Sequence, residues 1–227
     1  MTGISLFVPV LNEEAILEKN ARVLLDYLAG TGRPHELVII SNGSTDGTEE
    51  IGRRMSDSVP NFVFDHMDER GPGGALKRGI DLFRHDHVIA MDMDLSVASD
   101  FISAADRALD THALVLGSKQ AGHQNRSLIR RTGSALFIGT SILLLGLPYR
   151  DYSIGAKGYR LDFLAAHRHL IDRETGYVLP LAYAAQSEKK GVVEIPIECV
   201  DLRASRFNLP YEAVYRFGHL ARFWWSR

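Results

Sequence analysis

The sequence predicts an α/β fold: a central, mainly parallel sheet with helices on both faces. Three observations carry that expectation. Short apolar runs alternate with helical stripes through the first half of the chain, as strands buried on both faces require. Polar segments rich in Gly, Asp, Asn and Ser come directly after those runs, at the strand ends where open α/β sheets bind ligands. Finally, 227 residues with 45% hydrophobic and 24% charged side chains are enough for one well-filled core.

The elements follow in order. ISLFVPV (4–10) reads as a buried strand. Asn12 can cap the helix after it, on which Leu17, Ala21, Leu24, Leu25 and Leu28 recur at helical spacing. LVII (37–40) is a second strand, followed by a Gly/Ser/Asp loop and a helix from about 46. FVF (62–64) is the third, with a Gly-rich turn and a helix near 74–84 behind it. HVIAM (87–91) and ALVLG (113–117) are the fourth and fifth. Residues 126–147 read as an apolar helix with a basic start, 175–190 as another helix, and VVEIPIE (192–198) as a strand. The tail 211–227 mixes aromatics with Arg. No Pro/Gly/Ser linker separates the halves, so 1–227 reads as one domain.

Composition narrows the function. Lys plus Arg number 26 and Asp plus Glu 28, a net charge of −2. No basic field calls for nucleic acid. The one cysteine, Cys199, cannot form an internal disulfide and reads as a small core residue on a strand in a reducing cytosol. The start, Met1-Thr2-Gly3-Ile4, lacks the basic and small-residue pattern of a signal peptide. The apolar stretch 135–148 is shorter than the roughly 20 residues a bilayer span needs, yet could lie on a membrane. The pairs in HDH (85–87) and HRH (167–169) lack further ligands nearby and read as surface or capping residues.

Four motifs converge on one sheet edge: PVLNEE (9–14), SNGSTDGT (41–48), GPGGA (71–75) and DMDLS (92–96). Asp92 and Asp94 stand two apart, so an extended backbone would aim both carboxylates at one face. Two adjacent carboxylates repel unless a cation lies between them. Mg²⁺ and Mn²⁺ suit such oxygen ligands together with phosphate. The Gly-rich element GPGGALKRG is neither a P-loop, lacking GK[ST], nor a GxGxxG dinucleotide fingerprint.

The set VPVLNEE, SNGSTDGT, GPGGALKRGI, MDMDLS, DYSIGAKGYR and EIPIE, followed by an Arg/Ser segment, resembles a family 2 glycosyltransferase of the GT-A fold, and within it the dolichyl-phosphate mannose synthases and dolichyl-phosphate glucosyltransferases. The resemblance covers about residues 4–208. It implies a nucleotide-sugar half over about 1–118 and an acceptor half over about 119–227. It implies donor binding by Pro9, Leu11, Asn12, Glu13, Asn42, Asp92 and Met93, and a metal, Mg²⁺ or Mn²⁺, held by Asp94 with Asp92 and Ser96. Asp92 and Asp94 are thereby the catalytic pair. A polyprenyl phosphate acceptor would meet Lys119, Arg126, Arg130, Arg131, Ser134, Arg203, Ser205 and Arg206, since Arg beside phosphate makes charge-assisted bonds.

The expected reaction is metal-dependent, inverting transfer of a hexose from a UDP- or GDP-sugar to a lipid phosphate, in the cytoplasm and peripheral to the membrane's cytoplasmic face. Two other readings stay open. One is transfer to a soluble or polysaccharide acceptor, with Asp151 as general base; the other is an inactive nucleotide-sugar-binding module. The chain departs from the family where Ser41-Asn42 replaces an acidic pair, which removes a carboxylate expected near the base, and where the S-G-F motif reads Ser153-Ile154-Gly155-Ala156.

Overall fold

A computed structural model describes residues 2–119, 128–198 and 209–226. The apolar runs form strands β1 (Ile4–Val10), β2 (His35–Asn42), β3 (Phe62–Met67), β4 (His87–Ala90), β5 (Leu114–Ser118), β6 (Lys157–Arg160) and β7 (Val192–Pro196). They make one seven-stranded sheet in the order β3-β2-β1-β4-β6-β5-β7. All pairings are parallel except those of β6, which runs antiparallel to both β4 and β5. The mainly parallel sheet expected from sequence is therefore present, with one reversed strand inserted in it.

Strand alternation divides the core in two. On β1, Leu6 and Val8 face a layer made by helices α1 (Leu17–Gly30), α2 (Thr48–Ser58) and α4 (Asp100–Leu109). Phe7 points the other way, into a layer with α3 (Pro72–Gly79), α5 (Leu128–Leu145), α6 (Leu161–Ala166), α7 (Val178–Ser187) and α8 (Leu209–Ser226). A side-chain period of two over a flat element produces this division.

Several expectations change. Asn12 does not cap α1, which starts at Leu17 behind Ile16 without a side-chain cap; Asn12 instead adopts φ +56° and serves the loop. The third helix stops at Gly79, short of the expected 84, and Phe83 folds back against that glycine so closely that a Cβ there would lie 2.5 Å from its ring. Of the histidines expected at the surface or as caps, two are buried, and one of these, His167, is the C-cap of α6. His87 is 1% exposed and bonds Asp106 at 2.7 Å, and His167 holds Phe163 O and Glu188. The α4 helix and strand β6 were not read from the sequence. Cys199 lies outside the described residues.

Candidate active site

The four motifs lie at the carboxyl edge of β1, β2, β3 and β4, and the first two are zipped together by hydrogen bonds. The Asn12 amide donates to Ser44 Oγ at 3.0 Å, and Thr45 N–H donates to Asn12 Oδ1 at 2.7 Å. Glu13 N–H donates to Thr48 Oγ1 at 2.8 Å, and Gly47 N–H to Glu14 Oε2 at 2.6 Å. Pro9, Leu11, Asn12 and Glu13 are each partly exposed at this edge.

Asn42 braces the loops. Its Nδ2 donates to Val10 O at 2.8 Å and its Oδ1 accepts from Gly71 N–H at 3.1 Å, tying the ends of β1 and β2 to the start of α3. Ser41 is fully buried, with its Oγ 2.8 Å from Ser44 Oγ and 3.0 Å from His66 Nδ1. Neutral side chains at 41 and 42 suit these surroundings. A carboxylate at 42 could not donate to Val10 O, and one at 41 would be buried.

Beyond β4 the chain turns. Leu95 N–H reaches Asp92 O at 3.3 Å and Leu95 adopts φ +54°. Asp92 and Asp94 are therefore brought together by a turn, not by alternation along an extended strand. Ser96 N–H donates to Asp94 Oδ1 at 3.0 Å and orients that carboxylate. Met93 is turned into the core, 3% exposed, and only its backbone faces the edge, where its carbonyl accepts from Asn20 Nδ2 at 2.8 Å.

Asp92 is the electrostatic centre. Burial, and then the neighbouring Asp94 charge, push its proton affinity above that of an ordinary aspartate, against the opposing pull of Lys157, Lys119 and the Gly155 N–H. Gly155 lies under the carboxylate so closely that a Cβ there would be 2.2 Å from Asp92 Oδ1. Lys157, 4% exposed, donates from Nζ to Ile154 O, and burial lowers its ammonium to about 8 despite the charges of Asp151 and Asp92. Sequence reasoning missed Gly155 and Lys157 as site residues because they enter on β6, whose amino end, not its carboxyl end, lies at this edge.

Two carboxylates at a strand end, one of them destabilised by the other's charge, fit a divalent cation. Among the described residues no group of three His, Cys, Asp or Glu could hold one. A metal there would complete its shell from phosphate oxygens and water, as Mg²⁺ and Mn²⁺ do at phosphate sites.

The acceptor-side expectations are placed less fully. Lys119 N–H points to Asp151 Oδ2 at 3.4 Å, and the Lys119 charge acts on Asp92. Asp151 is buried, and its Oδ1 accepts from Ser153 N and Oγ at 2.9 and 2.8 Å. These bonds make Asp151 an organiser of its loop. Arg130, Arg131 and Ser134 lie on the first turns of α5, with side chains outside the described set. Arg126, Arg203, Ser205 and Arg206 lie outside the described residues.

A second loop joins this edge to the tail. Gly74 N–H donates to Arg173 O at 3.0 Å, and Arg173 Nε donates to Arg70 O at 2.8 Å. The same loop's Asp172 accepts from the Tyr215 hydroxyl and lies 3.4 Å from His219 Nε2, both on α8.

The chain is similar to known proteins. The chain is 27% identical over 197 residues to the undecaprenyl-phosphate 4-deoxy-4-formamido-L-arabinose transferase of Edwardsiella ictaluri, covering 86% of this chain and 59% of that protein. It is 27% identical to the dolichyl-phosphate beta-glucosyltransferase ALG5A of Trichomonas vaginalis, covering 91% of this chain and 68% of that one. The chain thus spans less than two thirds of the first relative's length. The fold matches glucosyl-3-phosphoglycerate synthase from Mycobacterium tuberculosis in complex with Mn²⁺ and UDP-glucose, with a TM-score of 0.70 and 18% identity, over 97% of this chain and 78% of that one. This is the GT-A architecture. Residues 5–173, which hold all four motif loops and the reversed strand, match glycosyl transferase family 2, and the chain belongs to that family.

Proposed function

We propose that the chain is a metal-dependent, inverting glycosyltransferase that moves a hexose from a nucleoside-diphosphate sugar to a polyprenyl phosphate. The observation that carries this reading is the Asp92–Asp94 turn at the carboxyl edge of β4, beside three braced loops and a buried lysine. The names of the relatives, which are polyprenyl-phosphate sugar transferases, support the acceptor class. The Mn²⁺ and UDP-glucose complex of the structural neighbour supports the donor class.

In this mechanism the loops 9–14 and 41–48 form the rigid wall of the nucleotide cleft. Asp94, oriented by the Ser96 amide, and Asp92, seated on Gly155, would hold the cation. Bound there, a divalent ion would supply positive charge against the departing diphosphate. The chain's part is to fix the donor so that the acceptor oxygen meets the anomeric carbon from the opposite face. A phosphate monoester is already ionised near neutral pH, so no general base is assigned. That agrees with Asp151, whose carboxylate is engaged by Ser153 and Lys119.

Membrane contact belongs to the same reading. No helix among the described residues is long and apolar enough to cross a membrane. Yet α5 and α8 pack together through Phe137 and Phe217, rings 5.5 Å apart, and expose Leu136, Ile142, Leu143, Trp224 and Trp225. Exposed aromatic and aliphatic side chains on paired helices suit the bilayer interface.

The test is transfer from UDP- and GDP-hexoses to a short polyprenyl phosphate and to soluble sugars, with Mn²⁺ and with a chelator. Turnover is expected with the lipid phosphate, to vanish with the chelator and to fall on the order of 10²-fold or more in Asp94→Asn. Transfer to soluble sugars alone would replace the acceptor, and no turnover with any donor would sink the enzyme reading.

A further inference from the structure

We propose that Lys157 is a positioning residue: a buried cation, bonded to Ile154 O, that pins the segment seating Gly155 against Asp92 of the donor turn and keeps a positive charge near Asp92 and Asp151, so that the diphosphate site is shaped before any ligand arrives. The inference rests on Asp92 and Asp94 being the donor site.

The geometry begins with β6. It pairs antiparallel with β4 in the register Ala90↔Lys157, so Lys157 sits where β4 gives way to the Asp92 turn. The segment entering β6 curls back over that turn. Gly155 comes close enough to leave no room for a Cβ beneath the Asp92 carboxylate, and Ile154 O accepts the Lys157 Nζ. At the head of the segment, Asp151 is anchored by Ser153 and by the backbone of Lys119 at the end of β5. The ammonium is thus buried and bonded to a short loop that starts at Asp151 and passes against Asp92 at Gly155.

A core position on a central strand is filled more cheaply by Leu or Met, because a buried ammonium loses its hydration. A lysine there needs a use for its charge. The charges supply one. Lys157, Lys119 and Arg216 lie near Asp92, Asp94 and Asp151, and these are the groups whose charges act on Asp92 and Lys157. A divalent ion then adds two positive charges, and the diphosphate of a nucleotide sugar brings two negative ones. Without Lys157 the Asp92 turn would lose a nearby positive charge, and the segment that seats Gly155 would lose its tie to β6. Lys157 itself touches neither donor nor acceptor in this account. It acts through the two aspartates.

The test separates charge from hydrogen bond. Lys157→Met removes both, Lys157→Gln keeps a donor for Ile154 O without the charge, and Lys157→Arg keeps the charge. Binding of UDP and of GDP, each with and without Mn²⁺, is measured by calorimetry on the whole chain, with kcat and KM for transfer alongside. For folded Lys157→Gln we expect metal-dependent nucleotide affinity to fall at least about tenfold, with kcat falling too, and Lys157→Arg to recover most of both. Lys157→Met is expected to match Gln; if it fails to fold, Gln alone decides. Wild-type affinity and kcat in Lys157→Gln would overturn the proposal, as would an Arg variant no better than Gln. If the wild-type chain shows no metal-dependent nucleotide binding, the donor-site reading itself fails and this inference falls with it. If the wild type binds while Lys157→Gln binds equally well, only the lysine's role is lost.

Discussion

At the scale of single residues, the site is held by contacts that a change of one atom would disturb. Gly155 is the sharpest case. Its Cα occupies the space beneath Asp92, and an added Cβ 2.2 Å from Oδ1 must push that carboxylate away. Gly155→Ala is therefore expected to lose on the order of 10²-fold in turnover, the cost of misplacing a catalytic group by about an ångström. Its melting temperature should change little, and a variant with wild-type turnover would show that Asp92 has freedom to move. Asn42 makes the opposite point. The sequence suggested a residue that meets the donor; in the structure its amide donates to Val10 O and accepts from Gly71 N–H. Restoring the family's acid, Asn42→Asp, removes the donor to Val10 O and sets a carboxylate against a carbonyl. A loss of about 1–3 kcal/mol in denaturant unfolding is expected; an unchanged midpoint would contradict the bracing role. Asn12 and Asn42 were legible as motif positions, yet not as braces. Which loop a side chain bonds depends on backbone turns, such as φ +56° at Asn12, that the sequence does not display.

At the scale of elements, the long apolar strands were legible and the short reversed one was not. β1 and β2 announce themselves by continuous Val, Ile, Leu and Phe. β6 is four residues, Lys-Gly-Tyr-Arg, with a polar residue at each end. Only pairing with β4 and β5 makes it a strand, and that is a long-range fact. The same holds for His87, whose position beside a strand boundary gave no sign of its partners. Asp106 on α4 receives His87 at 2.7 Å and Arg33 at 3.2 Å, which joins α4 to the far end of the sheet. Burial pushes the Asp106 pKa up, but the His87 bond and the Arg33 charge outweigh it and hold it below 3.8. A carboxylate depressed on folding stabilises above its unfolded pKa and loses that stabilisation as pH falls through the folded one. The gap in unfolding free energy between wild type and Asp106→Asn is thus expected to be about 1–3 kcal/mol near neutral pH and to close only below about pH 4. A gap that closes at pH 6 would assign the effect to another group.

At the scale of the whole molecule, donor edge and tail helix belong to one connected body. The Gly71–Gly74 turn hangs from the Arg173 carbonyl, and Asp172 next to it holds Tyr215 and His219 of α8. The exposed side of α5 and α8 carries Leu143 and Trp225, each 84% exposed. If that side meets lipid, Leu143→Ser and Trp225→Ala should each weaken partition onto anionic vesicles by about tenfold, since burying such a side chain is worth about 1.5–3 kcal/mol. Co-sedimentation equal to wild type for both would remove the surface from the membrane. The GT-A architecture and the gathering of four motifs on one sheet edge were readable because strand-end motifs sit in the chain order that the sheet requires. The tail's role was less so, since an amphipathic helix has the same pattern whether it covers a core or a bilayer. The tail nevertheless offers a direct way to ask. The chain contains two tryptophans, and both, Trp224 and Trp225, stand on α8. Indole emission therefore comes from this one helix with no background from the rest of the protein. A single cuvette can follow its colour as vesicles, nucleotide or metal are added, and so watch the surface of the molecule respond to its cleft without any label.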